Sequence, residues 1–158
     1  MKMRHFCPAH AERIRHDEDN ALSSWNELIN RGMQSYMACR ASAASMYFSA
    51  AQEIALLRLY HKKNTQFQAS HLLRPLEFLF ELMLVEEQYQ EIRSMLVSVR
   101  RFLLLIQSPE QQKAQQWLSH FHKKHEQVLG PCPEYKSTTE QGLTQKQSSI
   151  SLQWTQTG

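Results

Sequence analysis

The chain has 158 residues, 42% of them hydrophobic, and a formal net charge of +3 at pH 7. That length fits one domain whose core needs no disulfide or metal staple. Four glycines and few β-branched runs argue against an all-β fold, and the scattered Lys and Arg give no electrostatic footprint for nucleic acid.

Cys7, Cys39 and Cys132 are too few, and odd in number, for a disulfide scaffold, so a reducing cytoplasm is the expected compartment. The opening "MKMRHFCPAH" has no apolar signal core. The richest apolar run, Leu76 to Val85, is broken by Glu77 and Glu81 and is too short to span a bilayer. A cytoplasmic protein with no membrane partner is expected.

Residues 1–19 form a polar N-terminal segment in which "PAHAERIRH" suits a short helix with Pro8 at its first position. Asp17, Asp19 and Asn20 are candidate caps for a helix over about 20–38, striped by Leu22, Trp25, Leu28, Ile29, Gly32 and Tyr36. After a turn near Arg40, a helix over about 41–62 carries Ala44, Phe48, Ala51 and Leu56 on a broad apolar face. "HKK" at 61–63 puts positive charge at its C-terminus, and 64–70 reads as a loop. The third helix starts between Ser70 and Pro75, with Pro75 in its first turn or two, and ends near Glu87. Its apolar residues surround it almost completely, which predicts a central position.

A fourth helix over about 88–107 has the stripe Ile92, Met95, Leu96, Val99, Phe102, Leu103 and Ile106. Ser108 as N-cap, Pro109 at N1 and Gln111 at N3 start a fifth. The narrower stripe of that helix, Ala114, Trp117, Leu118 and Phe121, suits a terminal position with one wet face. "GPCPEY" stops the helical domain of 20–129, and 130–158 reads as a flexible, disordered tail. Within that tail Ile150, Leu152 and Trp154 alternate with polar residues in "SISLQW". This segment is expected to dock, with the protein's own groove as one place for it.

Residues 25–58 resemble one tetratricopeptide repeat. Leu28 takes its large position and Gly32 its small one, and Ala44, Phe48 and Ala51 follow Gly32 at offsets of 12, 16 and 19. These five form the packing signature: Gly32 and Ala44 remove bulk at a helix crossing, Phe48 fills the gap, and Ala51 admits the next helix. Residues 76–105 look like a second, degenerate repeat, in which "EQYQEI" resembles the family's "GDYEKA" turn and Ile92, Leu96 and Val99 replace Ala, Phe and Ala. Phe80 stands where the family has a small residue, 48 residues after Gly32 rather than the usual 34. The expected fold is all-α: antiparallel hairpins in a tetratricopeptide-like superhelix of about five helices, with a plain helical bundle as the alternative.

The resemblance implies a non-enzymatic, cofactor-free scaffold, adaptor or chaperone-like, that holds a segment of another protein in a concave groove. Trp25, Asn26, Ile29, Gln34 and Tyr36, on the first helix of a pair, are the candidate partner-binding residues. Two other readings are a regulator binding nucleic acid through basic helix ends (Arg100, Arg101 and the "HKK" segments) and a self-associating bundle or homodimer. His5, Cys7 and His10, closed by His16 or Cys132, offer metal donors at no recognised finger spacing, and no metal is expected. His120, His122 and His125 read as a solvated, dipole-matched helix end. Cys39 beside Arg40 reads as a small residue at an inter-helix turn. No nucleophile elbow, phosphate loop or HExxH sequence is present, so no catalytic residue is assigned.

Overall fold

Asp17 sets the first boundary. Its side chain accepts the Asn20 amide at 2.9 Å, so the second helix begins at Glu18, two residues earlier than the sequence suggests. In a computed structural model that describes residues 5–61, 65–105 and 111–131, seven helices and no strand are found among those residues. They are α1 (Pro8–His16), α2 (Glu18–Met37), α3 (Ala41–Leu59), α4 (Ala69–Val85), α5 (Tyr89–Leu105), α6 (Gln111–Lys124) and α7 (Glu126–Leu129). The chain is thus all-α over its described residues. The count exceeds five because "PAHAERIRH" forms α1 and a break at His125 separates α7 from α6. Lys62 and Lys63, the Ser108–Pro109 start signal, Cys132 and the "SISLQW" segment lie outside the described residues.

The α2–α3 seam is the tightest in the molecule. Gly32 is buried in it, and a Cβ there would lie 2.6 Å from the Phe48 ring. Ala44, Phe48 and Ala51 line the same seam with no exposed surface, while Leu28 packs partly buried beside them. On its other side α3 offers Ala50, Ala51 and Ala55 to α4, and Phe48 stacks on Phe78 with ring centroids 4.8 Å apart. Small residues let the axes approach, and the one large ring fixes how closely. The α4–α5 seam is looser. It has Phe80 in place of a glycine, and that ring packs on Phe121 of α6 at 4.7 Å.

The two hairpins turn in the same way. Between α2 and α3, Cys39 adopts φ +53 and the Arg40 amide donates to Ser35 O at 2.9 Å. Between α4 and α5, Glu87 adopts φ +57 and the Gln88 amide donates to Met83 O at 2.8 Å. Both are left-handed closures of the Schellman kind, made without glycine. They lie 48 residues apart, as do the ends of α2 and α4 and the starts of α3 and α5. The same offset carries Leu28, Ala44, Phe48 and Ala51 onto Leu76, Ile92, Leu96 and Val99, all of which are in the core.

A polar clasp fastens α1 and α2 to the α3–α4 connection. Arg58 is 2% exposed; its Nη1 donates to Arg15 O at 2.6 Å, and its Nη2 pairs with Glu18 at 3.3 Å. Glu18 also accepts the Thr65 amide at 2.8 Å, the Thr65 hydroxyl at 2.9 Å and the Gln66 amide at 2.7 Å. Burial pushes this carboxyl up, but those donors and the Arg58 charge outweigh it and hold it at about 2. No described helix is long and apolar enough to cross a membrane.

Gly32→Ala is expected to destabilise the chain by about 1–3 kcal/mol, although alanine is ordinarily the better helix former. The buried Phe48 ring cannot step aside. Urea unfolding measures the loss, and Phe48→Leu in the same chain should remove most of it. Glu18 stabilises the fold fully above its ordinary value of 4.5, and that contribution is lost as pH falls toward about 2. Glu18→Gln should therefore cost about 2–3 kcal/mol at neutral pH. In unfolding curves taken from pH 5 down to about 2, the difference from the unsubstituted chain should shrink.

Candidate binding face

Helices α2 and α4 run parallel and side by side, because each is joined to the next helix by a reversing turn and both flank α3. Their side chains meet at two levels. Near the starts of both helices, the Trp25 indole packs edge-on against His71 at 4.8 Å. Near the ends, the Tyr36 ring meets Phe78 at 5.6 Å and its hydroxyl donates to Glu81 at 3.2 Å. That hydrogen bond, the adjacent carboxylate charge and some burial together raise the Tyr36 hydroxyl above its ordinary 10. Exposed on the outer side of α2 are Asn26, Asn30 and Gln34, at helical spacing; α4 exposes Glu77 and Glu81. The result is a polar, amide-rich strip beside an acidic one, over a rigid aromatic floor.

The five candidate partner-binding residues do not share one environment. Asn26 and Gln34 are exposed on this face, and Tyr36 is half-buried at its edge. Trp25 and Ile29 are buried, so neither presents surface to a partner. The seat of Trp25 has a backbone cause in Pro75. Since α4 starts at Ala69, Pro75 stands within the helix rather than in its first turn. Proline lacks the N–H that would donate to the carbonyl four residues earlier, which is that of His71. The Trp25 Nε1–H donates to that carbonyl instead, at 3.1 Å. His71 is itself fixed, since its Nδ1 accepts the Gln68 amide at 3.0 Å.

The histidines divide in the same way. His122 is buried at 3% exposure, and its Nε2–H donates to Gly130 O at 2.8 Å, so it fastens the end of α7 instead of facing solvent. His125 packs on Phe121 at 4.7 Å; burial first, and the Lys124 charge second, hold it below its ordinary value. His120 is exposed. Cys7 is exposed and caps α1, and no group of three or more His, Cys, Asp or Glu residues is placed to hold a metal ion among the described residues. Arg100 turns inward and donates to Leu118 O of α6 at 3.4 Å, while Arg101 is exposed.

The clasp of Arg58 and Glu18 and the Pro75–Trp25 pairing escape a periodicity reading, since each joins residues more than 40 positions apart. A proline inside an apolar run, with an indole elsewhere on a core stripe, is the one signal the sequence holds for the second pair. Trp25→Phe should cost about 1–2 kcal/mol by leaving the His71 carbonyl unpaired. With Pro75→Ala, which restores an amide at position 75, the same change should cost less than about 0.5 kcal/mol in a double-mutant cycle read by denaturant unfolding. Comparison of the chain with models of known families, with curated proteins and with solved structures gives no match.

Proposed function

We propose that the chain is a non-enzymatic helical scaffold of tetratricopeptide-like plan, adaptor or chaperone-like in role, which holds a segment of a partner protein across α2 and α4. The observation that carries this reading is the exposed strip of Asn26, Asn30 and Gln34 beside Glu77 and Glu81, on two parallel helices locked together by Trp25, Tyr36 and Phe78. Carboxamide side chains offer donors and an acceptor together, the chemistry needed to grip the backbone of an extended peptide. A floor fixed by ring stacking keeps them in place without loss of rotamer freedom on binding. The equal turns 48 residues apart support a hairpin-by-hairpin plan, in which first helices line one surface and second helices back it.

The test is affinity capture from the native host, with captured proteins quantified by mass spectrometry. Asn26→Ala with Gln34→Ala should lower retention of the principal partner at least tenfold while leaving the unfolding midpoint unchanged. Tyr36→Ala is unsuitable, because the ring also packs on Phe78; Tyr36→Phe keeps the stack and isolates the hydroxyl. Equal retention by the double variant and the unsubstituted chain would refute the assignment of this face.

A further inference from the structure

The C-terminal ends of α2, α4 and α6 lie together at one end of the array, since Tyr36 reaches Glu81 and Phe80 reaches Phe121. Three large apolar side chains emerge there: Met37 is 79% exposed, Val85 84% and Val128 44%. Met37 and Val85 hold equivalent places, each the last residue of its helix before the same left-handed turn. The described chain also leaves the array at this end. Gly130 lies against the Arg93 guanidinium, one turn into α5, and its carbonyl is held by His122. Nineteen positions beyond Pro131 the sequence supplies Ile150, followed by Leu152 and Trp154. Residues 141–158 contain one cation, Lys146, and no Asp or Glu, whereas Val85 is followed directly by Glu86 and Glu87.

We propose that residues 146–154 of this chain dock on this end of the array, with Ile150, Leu152 and Trp154 over Met37 and Val85 and with Lys146 toward Glu86 and Glu87. Reach permits it. A chain of that length has a root-mean-square span of roughly 25 Å. Packed helices lie about 8–10 Å apart, so Met37, two helices from α6, is roughly 20 Å from the exit point. A tether so matched gives an effective concentration in the millimolar range, enough for a small apolar contact aided by one charge pair. Alternation of apolar and polar side chains lets an extended segment lay one face on the patch and keep the other wet. The contact is separate from the α2–α4 strip and does not depend on the function proposed for it.

The full chain, with p-benzoylphenylalanine replacing Trp154, is irradiated and its cross-linked peptides are identified by mass spectrometry. Cross-links within one chain to 33–40 and 82–88 are expected, and Met37→Ser with Val85→Ser should cut their yield at least fivefold at an unchanged unfolding midpoint. The proposal is overturned by cross-links to other elements, by products of twice the mass that join two chains, by an absence of cross-links, or by an equal yield in the variant.

Discussion

Gly32 leaves the space that the Phe48 ring occupies, and the position of α4 follows from that ring. The first carbon of any side chain at 32 would fall 2.6 Å from it. Because Phe48 is seated deep between α2 and α3, its outer surface is presented to Phe78, and the two rings stack at an interplanar angle of 12°. Phe78 in turn meets Tyr36, so one aromatic file runs from the middle of α3 through α4 back to the end of α2. Enlarging the residue at 32 moves more than a helix pair. It displaces the floor on which Asn26, Asn30 and Gln34 are presented.

Two polar arrangements stiffen that framework where apolar packing alone would leave a weakness. Pro75 strips a donor from the inside of α4, and an indole from α2 supplies one. A buried guanidinium in α3 is matched by a carboxylate, a carbonyl and the amides of the following loop. Buried charges cost free energy when left unmatched. The clasp therefore specifies where the α1–α2 corner and the 65–66 loop must sit, more than it adds attraction. Both arrangements tie the start of α2 to α4 or to the segment that leads into it, so the strip of exposed amides is anchored along its whole length.

Much of the helical plan is legible in residue spacing. The stripe from Leu22 to Tyr36, the alanine ladder on α3 and the run from Ile92 to Leu103 each place a helix within a few residues of its observed bounds. Gly32, Ala44, Phe48 and Ala51 can be read as a crossing because small residues at those intervals have few other uses in a helix. The lining of the candidate face is less legible. Trp25 and Ile29 share a stripe with residues of the core, and periodicity cannot separate a residue buried by α3 from one buried by α4 or left to a partner. Pro75 reads as a start signal, since a proline inside a helix is costly unless something distant offsets the loss, and distance is what sequence spacing does not report. His122 looks solvated for the same reason: its partner is the carbonyl at Gly130, beyond the end of its own helix.

The unequal closeness of the helix seams bears on how the molecule breathes. Local opening follows the amount of apolar surface that must be parted. Segments α2, α3 and the facing side of α4 are joined by small residues and stacked rings, whereas α5, α6 and α7 meet through larger side chains and sparser contacts. Amide hydrogens of α3 are then the slowest to exchange with solvent, and those of α6 and α7 the quickest among the long-range-packed segments. Sub-global fluctuations begin at the C-terminal side and stop at Phe80, which leaves the amide strip of α2 on the half of the molecule that stays shut.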